Sequence, residues 1–156
     1  MTKPIWDARK SVTLSMVVTG VGLVTALGCV VGLIPLLRTY QIDTMGLTDS
    51  FIARAAGPLY ACLAIGIIAL IVLMRLLWDI RRGEVFTLAN VRRLRLISYC
   101  GFAIMAACAV GAIIAADRPV FILLGAIAGF LGLLMRVVKN VIDAARLLKE
   151  DSDFTI

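Results

Sequence analysis

The side chains best placed to do chemistry lie between Arg81 and Ile97, in the segment RRGEVFTLANVRRLRLI. Five arginines stand there against a single acidic residue, Glu84. Such a cluster, set between long apolar runs, holds a segment at one face of a bilayer, contacts anionic lipid headgroups and offers a partner a basic surface. The other reactive side chains are four cysteines, Cys29, Cys62, Cys100 and Cys108, all inside apolar runs. None forms a C-x-x-C pair, and the chain has no histidine to complete a zinc set, so they read as small, reduced, buried hydrophobes. Within the apolar runs the polar residues are Ser, Thr, Cys and Tyr99, with no carboxylate or imidazole to activate them. Patterns such as H-E-x-x-H, G-x-S-x-G and phosphate-cradling loops are absent. Catalysis, a resident metal and a cofactor are therefore not expected.

The elements that must carry these residues follow from composition. The chain has 156 residues, is 62% hydrophobic and has a mean hydropathy of +1.02. A soluble domain has roughly half its residues apolar, so this excess belongs in lipid. About 20 apolar residues at ~1.5 Å each cross a hydrocarbon layer of roughly 30 Å. Backbone polar groups in lipid must be satisfied within their own segment, which makes these runs helices, and no alternating strands of barrel type occur. The expected fold is all-α: an integral membrane four-helix bundle with spans at about 11–37, 59–78, 96–116 and 120–138. The net charge of +6 sits at the ends of these runs, so direct nucleic-acid binding is not expected.

Trp6 is expected as an interfacial anchor; the basic start before an apolar run resembles a signal peptide, and Ala26-Leu27-Gly28-Cys29 a lipoprotein cleavage box. The run from Ser11 to Leu37 is too long for the first, and VVGLIPLL after Cys29 is too apolar for the second. A retained span is expected, loosened near Pro35. Arg38 to Ala55 reads as a loop, with Asp49 or Ser50 capping a short interfacial helix, and Gly57-Pro58 as a break or helix entry. Arg75 is expected to snorkel and to pair with Asp79 at i,i+4, rather than to serve an ion path. Gly83 permits a turn, and Thr87 is the natural N-cap for a helix beginning at Leu88. Asp117-Arg118-Pro119 leaves room only for a tight hairpin. Arg136 to Glu150 is expected to be an amphipathic helical extension, with Val137, Val138, Val141, Ile142, Ala145 and Leu148 opposite Lys139, Asn140, Asp143, Arg146 and Lys149, and 139–156 form a cytoplasmic tail.

Charge sets the expected orientation. With both termini and the 79–95 loop cytoplasmic, thirteen of the sixteen basic residues face inward, leaving Arg38, Arg54 and Arg118 outside. Packing is expected to use small residues: Gly28-x-x-x-Gly32, Gly125-x-x-x-Gly129, and the stripe Ala103, Ala107, Gly111 and Ala115. One of these faces could instead form the seam of a homo-oligomer.

Two stretches carry a family resemblance. Gly83, Phe86, Thr87, Asn90, Leu94, Arg95 and Ile97 form G-x-x-F-T-x-x-N-x-x-x-L-R-x-I, and the chain ends LKEDSDFTI. Together they resemble the YoaS-like family of small bacterial membrane proteins, a domain of unknown function with four spans. Asp151 and Ser152 stand where that family often has Glu and Asn. The resemblance implies a multi-pass protein of the bacterial inner membrane. It also implies, as a partner, a small cytoplasmic helix-turn-helix DNA-binding regulator. Phe86, Asn90, Arg92, Arg93, Arg95 and Asp153 would share the cytoplasmic side and are the candidate partner or lipid contacts. Local roles compete with this: a helix-start hydrogen bond for Asn90 and a hydrophobic staple for Phe86. The functional expectation is a non-enzymatic regulatory or interaction protein; the alternative is a small oligomeric channel or transport component.

Overall fold

A computed structural model describes the backbone of residues 5–45, 49–114 and 118–154, with side chains over 10–39, 54–114, 118–149 and at Asp151. Among the described residues the regular structure is four helices: α1 (Ile5–Met45), α2 (Asp49–Arg81), α3 (Leu88–Ile114) and α4 (Arg118–Phe154). Each contains a stretch long and apolar enough to cross a membrane: Lys10–Thr39, Arg54–Arg81, Leu88–Ile114 and Arg118–Lys149. Large apolar side chains on their outer faces are open, Val31 by 83% and Ile113 by 79%. A water-soluble monomer does not tolerate apolar surface on this scale, whereas lipid takes it at no loss.

The helices run further than the apolar runs do. The expected loop over 38–55 is helical on both sides, with 46–48 outside the described residues. From Leu36 to Met45 there is neither glycine nor proline, so the backbone has no reason to leave the helix before Gly46. Pro35 is accommodated inside α1 and Pro58 inside α2, so Gly57-Pro58 is not a break. In lipid, spare donors turn back on the helix: Thr19 Oγ1 donates to the Ser15 carbonyl at 2.7 Å, Thr25 Oγ1 to Val21 at 2.9 Å, and Thr39 Oγ1 to Pro35 at 3.0 Å. The expected cap at Asp49 or Ser50, the anchor at Trp6 and the hairpin at Asp117 rest on side chains or backbone outside the described residues.

The four helices of the expected bundle stand as an open row. α1 packs on α2, α2 on α3, and α3 on α4, while α1 touches neither α3 nor α4 among the described residues. Glycine placement explains the asymmetry. A Cβ on Gly101 would sit 2.8 Å from Gly132 Cα and 2.9 Å from the Ala128 carbonyl oxygen, so α3 and α4 meet backbone to backbone there. Gly125 and Gly129 also face α3, against Cys108 and Met105, and Phe121 fills the space beside Gly111. By contrast, Gly28 and Gly32 of α1 have nothing within 4 Å, so that pair does not build the row. α1 is held to α2 instead by Gly20 against Met74 and by the Tyr60 hydroxyl donating to the Val30 carbonyl at 3.1 Å.

The expected α3 stripe is also rotated. Ala103 is exposed and Ala115 lies outside the described residues; the face turned to α4 carries Ser98, Gly101, Met105, Cys108 and Gly111. Cys108 is fully buried, with Ala55 and Phe121, and its Sγ lies 3.6 Å from Cys62 Sγ across the α2–α3 contact. All four cysteines are free thiols; Cys29 alone is exposed, on the outer surface of α1.

Candidate functional site

The connection between α2 and α3 is built by two end motifs that face each other. At the end of α2, Gly83 adopts φ +86°, a left-handed conformation that glycine enters without a Cβ clash. The Glu84 amide then donates to the Asp79 carbonyl at 3.1 Å and the Gly83 amide to Ile80 at 3.0 Å, which is the Schellman arrangement for closing a helix. At the start of α3, the Thr87 carbonyl accepts from Asn90 and Val91, and its hydroxyl lies 3.4 Å from the Asn90 amide. Thr87 is thus the N-cap and Leu88 the first residue of α3.

Asn90 joins the two motifs. Its Nδ2 donates to the carbonyls of Glu84 and Val85, and its Oδ1 accepts from Arg93 Nη1 at 3.0 Å. The same Arg93 nitrogen pairs with Asp79 Oδ2. Asp79, Arg93 and Asn90 therefore tie the last turn of α2 to the first turn of α3 and stitch down the strand-like residues between them. This corrects the expected Arg75–Asp79 pair: Asp79 is engaged by α3, and Arg75 is exposed. An i,i+4 pair on one helix yields to a contact that two packed helices hold in place.

The six candidate contact residues consequently divide. Asn90 is 1% exposed, its polar atoms used inside the turn, so it holds the surface and does not form it. Arg93 is half-buried in the same network. Phe86, 44% exposed, and Arg92 and Arg95 face outward. Arg81 and Arg82 are also exposed, Arg82 with its guanidinium 5.6 Å from the Trp78 ring centroid. Asp153 lies within α4, but its side chain is outside the described residues. Four guanidinium groups are thus exposed at this end, as are Phe86 and Leu88; Arg81 also lines a pocket with Lys10 and Thr13 of α1, so the four are spread across the row of helices.

α4 brings further cations to this end of the molecule. Ser98 Oγ donates to the Gly132 carbonyl at 2.8 Å, which fixes the register of α4 against α3. About one turn further toward the charged end, Arg95 and Tyr99 of α3 and Arg136 and Lys139 of α4 line a cleft of about 170 Å³ with Ser98 at its base. Sequence reading assigned Arg136 and Lys139 to topology alone, because nothing local in the chain relates them to Arg95. Beyond them α4 continues as one helix to Phe154. Its polar positions Lys139, Asp143 and Arg146 are half-buried, Arg146 Nε lying 3.5 Å from Asp143 Oδ1, while Val137, Val141 and Leu148 are exposed. The apolar stripe of this extension thus turns away from the protein.

Comparison with known proteins adds a family and no activity. Neither a curated protein nor a solved structure matches the chain. The family model described as "Protein of unknown function (DUF2975)" matches residues 52–156, which takes in nearly all of α2, the basic turn, α3 and α4. With the match covering well over half its length, this chain belongs to the DUF2975 family of proteins of unknown function.

Proposed function

We propose that this chain is a non-enzymatic, multi-pass protein of a bacterial cytoplasmic membrane whose basic turn faces the cytoplasm and docks an acidic soluble protein. The observation that carries the reading is the rigid presentation of the turn. Arg81, Arg82, Arg92 and Arg95 are exposed, as are Phe86 and Leu88, and the turn that carries them is locked by Asn90 and the Asp79–Arg93 pair. A turn that served only as a connector would need no such network. Exposed guanidinium groups steer an acidic partner, and an exposed aromatic side chain supplies an anchor that lipid contact alone does not require. The orientation is supported by the count of basic residues on that side.

The small helix-turn-helix regulator implied by the family resemblance is the first partner to test. Full-length protein in mild detergent is expected to capture it, and R82E/R92E combined with F86A is expected to abolish capture while the helical fold is retained. Capture that is indifferent to these substitutions, or an absence of any captured protein, would sink the reading. The channel alternative has less in its favour: Thr19, Thr25 and Ser98 spend their hydroxyls on backbone carbonyls.

A further inference from the structure

We propose that the cleft between the charged ends of α3 and α4 is a binding site for a phosphate group. It shares Arg95 with the exposed arginines of the turn, whereas Arg136 and Lys139 belong to it alone, and it does not depend on the docking proposal. Three cationic side chains, Arg95, Arg136 and Lys139, converge there from two helices, with the Tyr99 ring and Ser98 completing the lining. None of the three cations has an acidic partner among the described residues; Asp79 is used by Arg93, Asp143 lies beside Arg146, and the exposed Glu84 forms no ion pair with them. Three like charges held together at the edge of a low-dielectric layer repel one another unless an anion sits among them.

The fold forces this convergence. Gly101 and Gly132 bring the two backbones together, and the Ser98–Gly132 hydrogen bond fixes their register. The next turn of each helix therefore has to place its cations side by side. Guanidinium groups suit phosphate because their planar forks donate two parallel hydrogen bonds, while Lys139 adds a compact charge. The volume, about 170 Å³, is equivalent to roughly five or six liquid waters, enough for a phosphate and a remnant of its hydration.

The depth of the cleft narrows the source. On α3 the apolar run begins at Leu96, directly after Arg95; on α4 it ends at Met135, directly before Arg136. Both helices change from apolar to charged at the same level, which in a membrane is the level of headgroup phosphates. Basic clefts between membrane helices at that level hold anionic headgroups. Free phosphate has the same chemistry and could reach the site from solution.

The test uses the full chain in mild detergent, titrated with phosphatidylglycerol or with inorganic phosphate, and read by native mass spectrometry and thermal unfolding. R136Q/K139Q is expected to weaken phosphatidylglycerol binding about thirtyfold, the effect of losing two cationic contacts. R54Q/R118Q removes the same charge at the opposite end and is expected to leave binding unchanged, as is the charge-conserving R136K/K139R. Should R136Q/K139Q fail to fold, Arg95→Gln on the facing wall gives the same reading. Displacement of lipid by inorganic phosphate assigns a soluble source as well, and no displacement assigns the site to lipid; both outcomes support a phosphate site. Equal losses in R136Q/K139Q and R54Q/R118Q, or no loss in either, would overturn it, since binding would then reflect net charge alone.

Discussion

Asn90 is the residue on which the turn depends, and its role follows from how few of its polar atoms remain free. It is 1% exposed, yet its amide reaches two carbonyls of the preceding loop and accepts from Arg93. Removing it deletes three hydrogen bonds, two to the Glu84 and Val85 carbonyls and one from Arg93, each worth about 0.5–1.5 kcal/mol. Asn90→Ala is therefore expected to destabilise the protein by about 2 kcal/mol and to expose the 81–87 segment to trypsin at Arg81 and Arg82. A turn as protease-resistant as the unaltered one would show that the amide is not what orders it. Part of this was legible in the chain: Gly83, Thr87 and Leu88 announce a helix end, a cap and a helix start, because each acts on neighbours within a few residues. The ion pair from Arg93 to Asp79 was not legible, since its partners lie on different helices and Arg75 offers Asp79 an equally good local match in sequence.

At the scale of the helix, glycines with identical spacing have opposite meanings. Gly125 and Gly129 form a small-xxx-small face that α3 fills, and Gly28 and Gly32 form the same pattern with nothing opposite. Gly101 and Gly132, which form no such motif with each other, bring the α3 and α4 backbones together, a Cβ on Gly101 falling 2.8 Å from Gly132 Cα. A Cβ at Gly101 would meet backbone atoms, which cannot rotate away as a side chain can. Gly101→Ala is expected to push α3 from α4 and to destabilise by about 1–3 kcal/mol, the usual range for overpacking, whereas Gly28→Ala should be neutral. Unfolding in mixed detergent measures both; equal effects would mean that the α3–α4 crossing is looser than described. The rotation of the α3 contact face, away from Ala103 and toward Ser98 and Gly101, has the same origin. Small residues permit close packing on any face, and only the opposing helix selects one.

For the molecule as a whole, connection in series is the governing feature. Among the described residues each helix touches only its neighbours in the chain, so α1 and α4 are both edges, and much of their apolar surface is open to lipid. Orientation is a property at this scale too. The charged turn, Arg136 and Lys139 lie at one end, and Arg54 and Arg118 lie at the other. Under the proposed orientation, a reporter fused after residue 90 should be active only as a cytoplasmic enzyme, and one fused near residue 117 only as a periplasmic one; the reverse pattern would remove the docking proposal along with it.

Helix content, the four apolar spans and the cap at Thr87 are determined by the sequence itself, because hydrocarbon forces each backbone to satisfy its own hydrogen bonds and caps act locally. The tertiary structure alone decided that the row is open, that Asp79 answers to Arg93, and that Arg95 stands with Arg136 and Lys139. Those relations depend on which faces of separate helices meet, and a uniformly apolar helix carries little in its own sequence to say which face that will be.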